Sequence, residues 1–196
     1  MIPRILHRTV PAAVDPVVEG YWDGLARLHP GWEMRTWRDP LDRADFPLTH
    51  AAWDRCGSGA QRAGLIRLEV LWTIGGVYVD SDVEGVRSLD PLLVLDGFSA
   101  WEQPGITPDA VLGAVPAHPA IWLCLEMALT NLERGAWHSG PGVTTAILPG
   151  RPDWSVLPQE AFYPYYFTEP ERRGEDFSQL PGCYLVHHWA GSWLNH

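Results

Sequence analysis

The chain has 196 residues, enough for one domain with a real core, and 46% of them are apolar. Its net charge of −10 argues against nucleic acid or anionic membrane as main partners, because both recruit a basic face. All 14 basic residues are arginine, which excludes chemistry that needs a lysine, such as a phosphate-loop lysine or a Schiff base.

The opening "MIPRILHRTV" lacks the long apolar core of a signal peptide. Arg4 to Val10 alternates enough for a first strand, ended by Pro11. Asp15 to Leu28 reads as a helix that His29-Pro30-Gly31 stops. "WEMRTW" follows as a second strand, with Trp32, Met34 and Thr36 on one face. Gln61 to Ile74 is the clearest helix, with Leu65, Leu68, Leu71 and Trp72 at helical spacing. Phe98 to Trp101 reads as a short strand and Pro119 to Arg134 as a second long helix. "PYYF" and "CYLVHHW" supply late strand-like segments. The most apolar stretch, Ala110 to Leu129, contains two prolines, His118 and Glu126, and makes a poor membrane span. Cys56, Cys124 and Cys183 are scattered, as expected of free thiols in a reducing compartment. Strands alternating with helices, without repeat or linker, predict a single α/β domain over residues 1–196, cytoplasmic and without a transmembrane segment.

One stretch calls for chemistry. "GGVYVDSDVEG" (Gly75 to Gly85) is a glycine turn, a buried strand and then Asp80, Asp82 and Glu84 on alternate positions. On a continuous strand all three carboxylates project to the same side. Acids are common at solvated strand ends, but a strand end in an open α/β sheet also faces the ligand crevice. Two carboxylates about 6 Å apart repel by roughly 3 kcal/mol at an effective dielectric near 20. A hard divalent cation such as Mg²⁺ or Mn²⁺ removes that cost and can bridge to a diphosphate. The same DxD also opens haloacid-dehalogenase-type phosphatases, with Asp80 as nucleophile. That reading wants a lysine and a later acid pair, and the chain has no lysine.

"RLEVLWTIGGVYVDSDVE" (Arg67 to Glu84) resembles the DxD-containing glycosyltransferases often called family 32, which include yeast initiating α-1,6-mannosyltransferase. It is also similar to the catalytic domain of the large clostridial glucosylating toxins. "IPRILHRTV", "VLGAVPAHP" with "SGPGVTTAIL", and "HHWAGSW" resemble further blocks of the family, so the likeness spans nearly the whole chain. The resemblance implies a GT-A-like fold, a Rossmann-like mixed sheet flanked by helices. It implies a retaining transferase that uses a nucleotide-diphosphate sugar and Mn²⁺ or Mg²⁺. The acceptor would be a glycan, a lipid-linked hydroxyl or a small molecule.

Carried over by position, Asp82 is the expected direct metal ligand, with Asp80 on metal, ribose or sugar. Arg67 lies where the family places an arginine near the donor. His188 falls where the closing motif supplies a metal ligand, with Ser192 and Trp193 at the diphosphate. His187 points to the opposite strand face from His188 and is expected to be structural. His7, at the end of the first strand, is a further donor candidate. Trp101 and Trp193 are the expected sugar contacts, whereas Trp22, Trp32, Trp37 and Trp122 fit a core. One departure stands out: the family reads S-D-x-x-R where this chain reads Ala63-Gly64-Leu65-Ile66-Arg67. Glycine in place of that acid implies a weaker donor site, and leaves open a nucleotide-sugar or glycan binding protein with little turnover.

Overall fold

The computed structural model describes residues 1–189. Ser192 and Trp193 lie outside the described residues. Strand β1 (Ile5–Val10) leads into helix α1 (Pro16–Leu28), whose cap is Asp15: its Oδ1 accepts from Val17 N at 2.7 Å, with Pro16 in the first turn. Strand β2 (Glu33–Arg38) follows, then α2 (Gly59–Thr73), capped by Ser58. Nine residues of α2 are buried, including Leu65, Ile66, Leu68, Val70 and Leu71. A helix buried on most of its sides, Gln61, Arg67 and Glu69 included, runs through the interior.

Beyond α2 come β3 (Gly76–Val79), β4 (Val83–Gly85), β5 (Gly97–Ala100) and β6 (Val111–Ala114). Helix α3 (Pro119–Asn131) runs on into a 3₁₀ turn, Leu132–Arg134, matching the helix expected over that range. Two short helices, α4 (Ala136–Ser139) and α5 (Pro141–Ile147), precede β7 (Ser155–Leu157) and β8 (Leu185–His187).

Six strands form one sheet in the order β2-β1-β3-β6-β5-β7, while β4 and β8 pair separately. Strand β1 is parallel to both β2 and β3, β6 runs antiparallel to β3 and β5, and β7 is parallel to β5. One core cluster joins α2 and α3 to Tyr78 and Leu112. A second gathers Val77, Val79 and Phe98 with Leu25 of α1 and with Phe162 and Tyr163. The sheet is thus covered on both faces, and its polar business is confined to the strand ends.

The expected elements are present within a residue or two, apart from "PYYF", which lies in turns with Tyr165 buried. Its apolar pattern serves a small third cluster with Phe177, Cys183 and Val186. No helix among the described residues is long and apolar enough to cross a membrane.

Candidate metal and diphosphate site

The site grows from the close packing that starts β3. Gly75 and Gly76 have φ of 73° and 104°, and a Cβ on Gly76 would stand 2.7 Å from the Ile5 carbonyl oxygen. Only glycine tolerates both conditions, and the pair lets β3 lie tight against β1. The strand stops at Val79. Asp80 N donates to the Ala110 carbonyl at 2.8 Å, and Val83 N donates to the Asp80 carbonyl at 3.2 Å. That turn redirects the chain into β4, where Val83 pairs with His187 of β8.

The acidic row is therefore not one strand. Asp80 and Asp82 sit in the turn at the carboxyl edge of β3, while Glu84 belongs to the second sheet and its Oε2 lies 2.8 Å from His188 Nε2. The same-side expectation fails for Glu84, because a turn between two strands breaks the two-residue alternation.

Asp80, Asp82 and His187 converge instead, with one ligand-type atom of each within 4.8 Å of the others. His187 Nε2 is 3.3 Å from Asp82 Oδ1. His188, expected here, points elsewhere: it stacks on Tyr21 at 4.7 Å, and its Nδ1 lies 3.1 Å from the Tyr165 hydroxyl. The two histidines do occupy opposite faces, but with the faces exchanged relative to the expectation. The register is set by Val83 pairing with His187 and by His188 N donating to the Asp82 carbonyl at 3.0 Å. Burial lowers the His187 pKa, but the Asp82 charge and hydrogen bond outweigh it, so the pKa is raised. Asp80 is pushed up to about 6, first by burial, with Asp82 and Asp109 adding to the rise and Arg67 opposing it. Two carboxylates and an imidazole within that span suit a borderline-hard divalent cation such as Mn²⁺.

Arg67 is the cation behind this cluster. Its side chain is 5% exposed and ion-pairs with both Asp80 and Asp109, and its guanidinium carbon lies 4.5 Å from the centre of the Tyr78 ring. Burial works against the charge, but Asp109 and Asp80 outweigh it and raise the pKa. Arg67 Nε, the Tyr163 hydroxyl and His187 Nδ1 are buried without a hydrogen-bond partner among the described residues. Such orphans are costly in a finished core and are characteristic of a place where a polar ligand completes the bonding.

Three residues of this region escaped the sequence reading: Asp109, Glu102 and Tyr163. Asp109 directly precedes Ala110 and β6, whose antiparallel run starts beside the end of β3. Glu102 is buried just beyond β5; burial raises its pKa, while His187 and a hydrogen bond with Tyr166 pull it down. Tyr163 meets the His187 ring edge-on at 5.8 Å. The available signal was an acid two residues from an apolar strand, Glu102 after β5 and Asp109 before β6, and it is weak; Tyr163 had none.

His7 does not join them. It is fully buried in β1, its Nε2 lies 2.9 Å from the Gly75 carbonyl and its Nδ1 accepts from Trp37 Nε1 at 3.3 Å. Burial lowers its pKa to about 4, which favours the neutral ring. Trp101 is half-buried beside Glu102, its N donating to the Leu157 carbonyl at 3.0 Å. A separate open cleft of about 420 Å³ lies past the end of β2, lined by Asp39, Arg43, Trp53 and Arg62 among others. In it Arg62 Nη2 donates to Asp39 Oδ2 at 2.6 Å.

Comparison with known proteins places the chain among sugar transferases in sequence. Residues 16–98 match the glycosyltransferase sugar-binding region containing the DXD motif. Inositol phosphoceramide mannosyltransferase 2 of Schizosaccharomyces pombe is 34% identical, covering 100% of this chain and 59% of the relative. Inositol phosphoceramide mannosyltransferase 3 of the same yeast is 27% identical, covering 96% and 60%. Human α-1,4-N-acetylglucosaminyltransferase is 26% identical, over 63% of this chain and 40% of the relative. The chain thus spans about 60% of the length of the two yeast relatives. Among solved structures, the PaToxG glycosyltransferase superposes with a TM-score of 0.56 at 16% identity, covering 74% of this chain and 67% of that one. The galactosyltransferase LgtC, solved with donor and acceptor sugar analogues, gives 0.55 at 12% identity, covering 94% and 87%. These likenesses bear out the GT-A-like fold.

Proposed function

Because the chain belongs to the DXD-containing glycosyltransferases, we propose that it moves a sugar from a nucleotide-diphosphate donor to an acceptor hydroxyl, with a divalent cation and with retention at the anomeric carbon. The observation that carries this reading is the convergence of Asp80, Asp82 and His187 beside a buried Arg67. Asp82, His187 and a free corner of the Asp80 carboxylate would hold Mn²⁺ or Mg²⁺, and the imidazole favours Mn²⁺. A bound cation supplies charge against the donor diphosphate and its departing form. Arg67 adds a fixed positive charge behind it, and Asp80 keeps that charge aimed at the same place. We assign the nucleoside end of the donor to the cleft at Asp39, Trp53 and Arg62, which lies past the carboxyl end of a parallel strand.

The candidate nucleophiles in this region are committed elsewhere. Asp109 is paired with Arg67 and Glu102 is hydrogen-bonded with Tyr166. Retention is then best served by attack of the acceptor hydroxyl on the face the diphosphate leaves. The phosphatase reading needs Asp80 as a nucleophile, and its bond to Arg67 disfavours that role. The named substrate of the yeast relatives, inositol phosphoceramide, makes a lipid-linked hydroxyl the acceptor class we favour. The test is release of nucleoside diphosphate, and label transfer, from uridine- and guanosine-diphosphate sugars with Mn²⁺ or with chelator. Turnover that ignores the chelator would contradict the reading.

The two histidines give a sharper check. His187→Ala is expected to weaken Mn²⁺-dependent nucleotide binding at least about tenfold, as loss of a ligand does. His188→Ala should keep that affinity and lower the melting temperature, since it removes contacts to Glu84, Tyr165 and Tyr21. Titrating Mn²⁺ in the presence of nucleotide separates them, and the reverse pattern would return the metal to His188.

Protons should compete with the cation. The Asp80 pKa is raised from its ordinary 3.8 to about 6, so the fold favours its neutral form. That contribution to stability is present at acid pH and lost as pH rises through about 6, where the carboxylate becomes available to a cation. Mn²⁺ affinity is expected to rise by about tenfold between pH 5 and 7, with the His187 proton adding in the same direction. An affinity that is flat over this range, measured by calorimetry, would remove Asp80 from the ligand set.

A further inference from the structure

Arg67 is a buried charge that must be held in one orientation to serve a diphosphate, and one of its two partners does not come from the DxD turn. Asp109 reaches it from the segment that precedes β6, and the Asp109 side chain is only 13% exposed. Helix α5 anchors that segment: Thr144 Oγ1 donates to the Thr107 carbonyl at 2.7 Å, and Thr107 N donates to Thr145 Oγ1 at 3.1 Å.

The carboxylate rests in a slot floored by two glycines. A Cβ at Gly64 would stand 3.8 Å from Asp109 Oδ2, and one at Gly140 would stand 3.1 Å from the same oxygen. The Gly140 wall is itself tied to α2, because Gln61 Nε2 donates to Ser139 Oγ and to the Leu132 carbonyl, both at 2.9 Å. Gly64 is one helical turn before Arg67 and shares its face. An acid at position 64 could therefore reach the same guanidinium from within the helix, but the space it would use is already filled.

We infer that Asp109 is the positioning residue for Arg67, seated where a longer side chain from position 64 would otherwise stand, and that position 64 is small to leave the room. In this chain an acid facing Arg67 comes from the strand edge and not from position 64. This deepens the glycosyltransferase reading and rests on it for its functional part. It also reverses the expectation drawn from sequence for Gly64→Asp. That substitution brings a second carboxylate onto Asp109 rather than filling a gap, so it should impair the site.

The test is a mutant cycle of Gly64→Asp, Asp109→Ala and the double variant, with Gly64→Ala as control. Melting temperature is read without ligand. Affinity is read by calorimetry for uridine and guanosine di- and monophosphates in excess Mn²⁺. Each single variant is expected to melt lower and to bind the better diphosphate about tenfold more weakly. The double variant should return to within about threefold of the parent, because one acid again faces Arg67. Gly64→Ala should bind like the parent and melt no lower, since 3.8 Å is an ordinary contact for the added methyl and alanine suits a helix interior better than glycine.

The preference for diphosphate over monophosphate should shrink in Asp109→Ala and recover in the double variant; a purely structural carboxylate would leave it unchanged. Two results overturn the inference: Gly64→Asp binding more tightly than the parent, or a double variant as impaired as the singles combined. If the parent binds no nucleotide at all, the glycosyltransferase reading fails, while rescue or its absence in the melting temperatures still decides the seat of Asp109.

Discussion

Asp82→Asn is expected to lower the Mn²⁺-dependent affinity for a nucleoside diphosphate by at least about 100-fold, with the fold retained. The substitution keeps the side-chain shape and removes one negative charge from a cluster whose ligand atoms lie within 4.8 Å of one another. Of the remaining members, Asp80 is already paired with Arg67, and His187 loses the carboxylate that keeps its ring in place. A charge in contact with a divalent cation contributes several kcal/mol even at an effective dielectric near 20, and about 2.7 kcal/mol is already 100-fold. Calorimetry on the variant, alongside its melting temperature, checks both halves. An affinity within threefold of the parent would take Asp82 out of the metal site.

Arg67→Met should be the most destabilising single change near the site. It deletes the cation shared by Asp80 and Asp109 and leaves two acids facing each other in a largely buried place. Breaking a buried pair on one side costs about 3–5 kcal/mol, far more than loss of an exposed ion pair. For a chain of this size that is a fall of roughly 10 °C in melting temperature. The sign of its pH dependence follows from Asp80, whose pKa near 6 can only rise further without Arg67. Protonation removes the repulsion, so the deficit should shrink on going from pH 7.5 to 5. Arg67→Lys keeps the charge but not the two-pronged geometry, and should fall between parent and Met. A Met variant that melts within a degree or two of the parent would mean that Arg67 carries little of the site's electrostatics.

The parts that could be read without coordinates are those with a strong local cause. Period and caps announce α1, α2 and α3, and the paired glycines before β3 mark a turn that no other residue could make. The DxD itself was legible because two acids following an apolar strand are an electrostatic anomaly that asks for a partner.

What escaped is long-range. Strands β6 and β7 have three or four residues each and exist through their pairing with β5 and β3, which no local pattern declares. Asp109 becomes a site residue only because β6 runs antiparallel and brings its start to the end of β3. That His187 and not His188 lies beside Asp80 and Asp82 is a one-residue matter of register, decided by how β8 lies against β4. The turn at Asp80–Asp82 removed Glu84 from the row for the same kind of reason: the chain leaves one sheet and enters another. His7 looked available at the end of a strand, and was instead consumed by Gly75 and Trp37.

The claim on which the rest depends is that the carboxylate turn is a cation-dependent diphosphate site. It is tested most directly by titrating uridine and guanosine diphosphate into the protein at pH 7, once with excess Mn²⁺ and once with chelator, and reading the heat of binding. The account expects saturable binding of at least one of them with Mn²⁺ and a loss of at least about 100-fold without it. Equal affinity in the two conditions would contradict the account, because Asp80 and Asp82 would then be meeting a diphosphate with no cation between them.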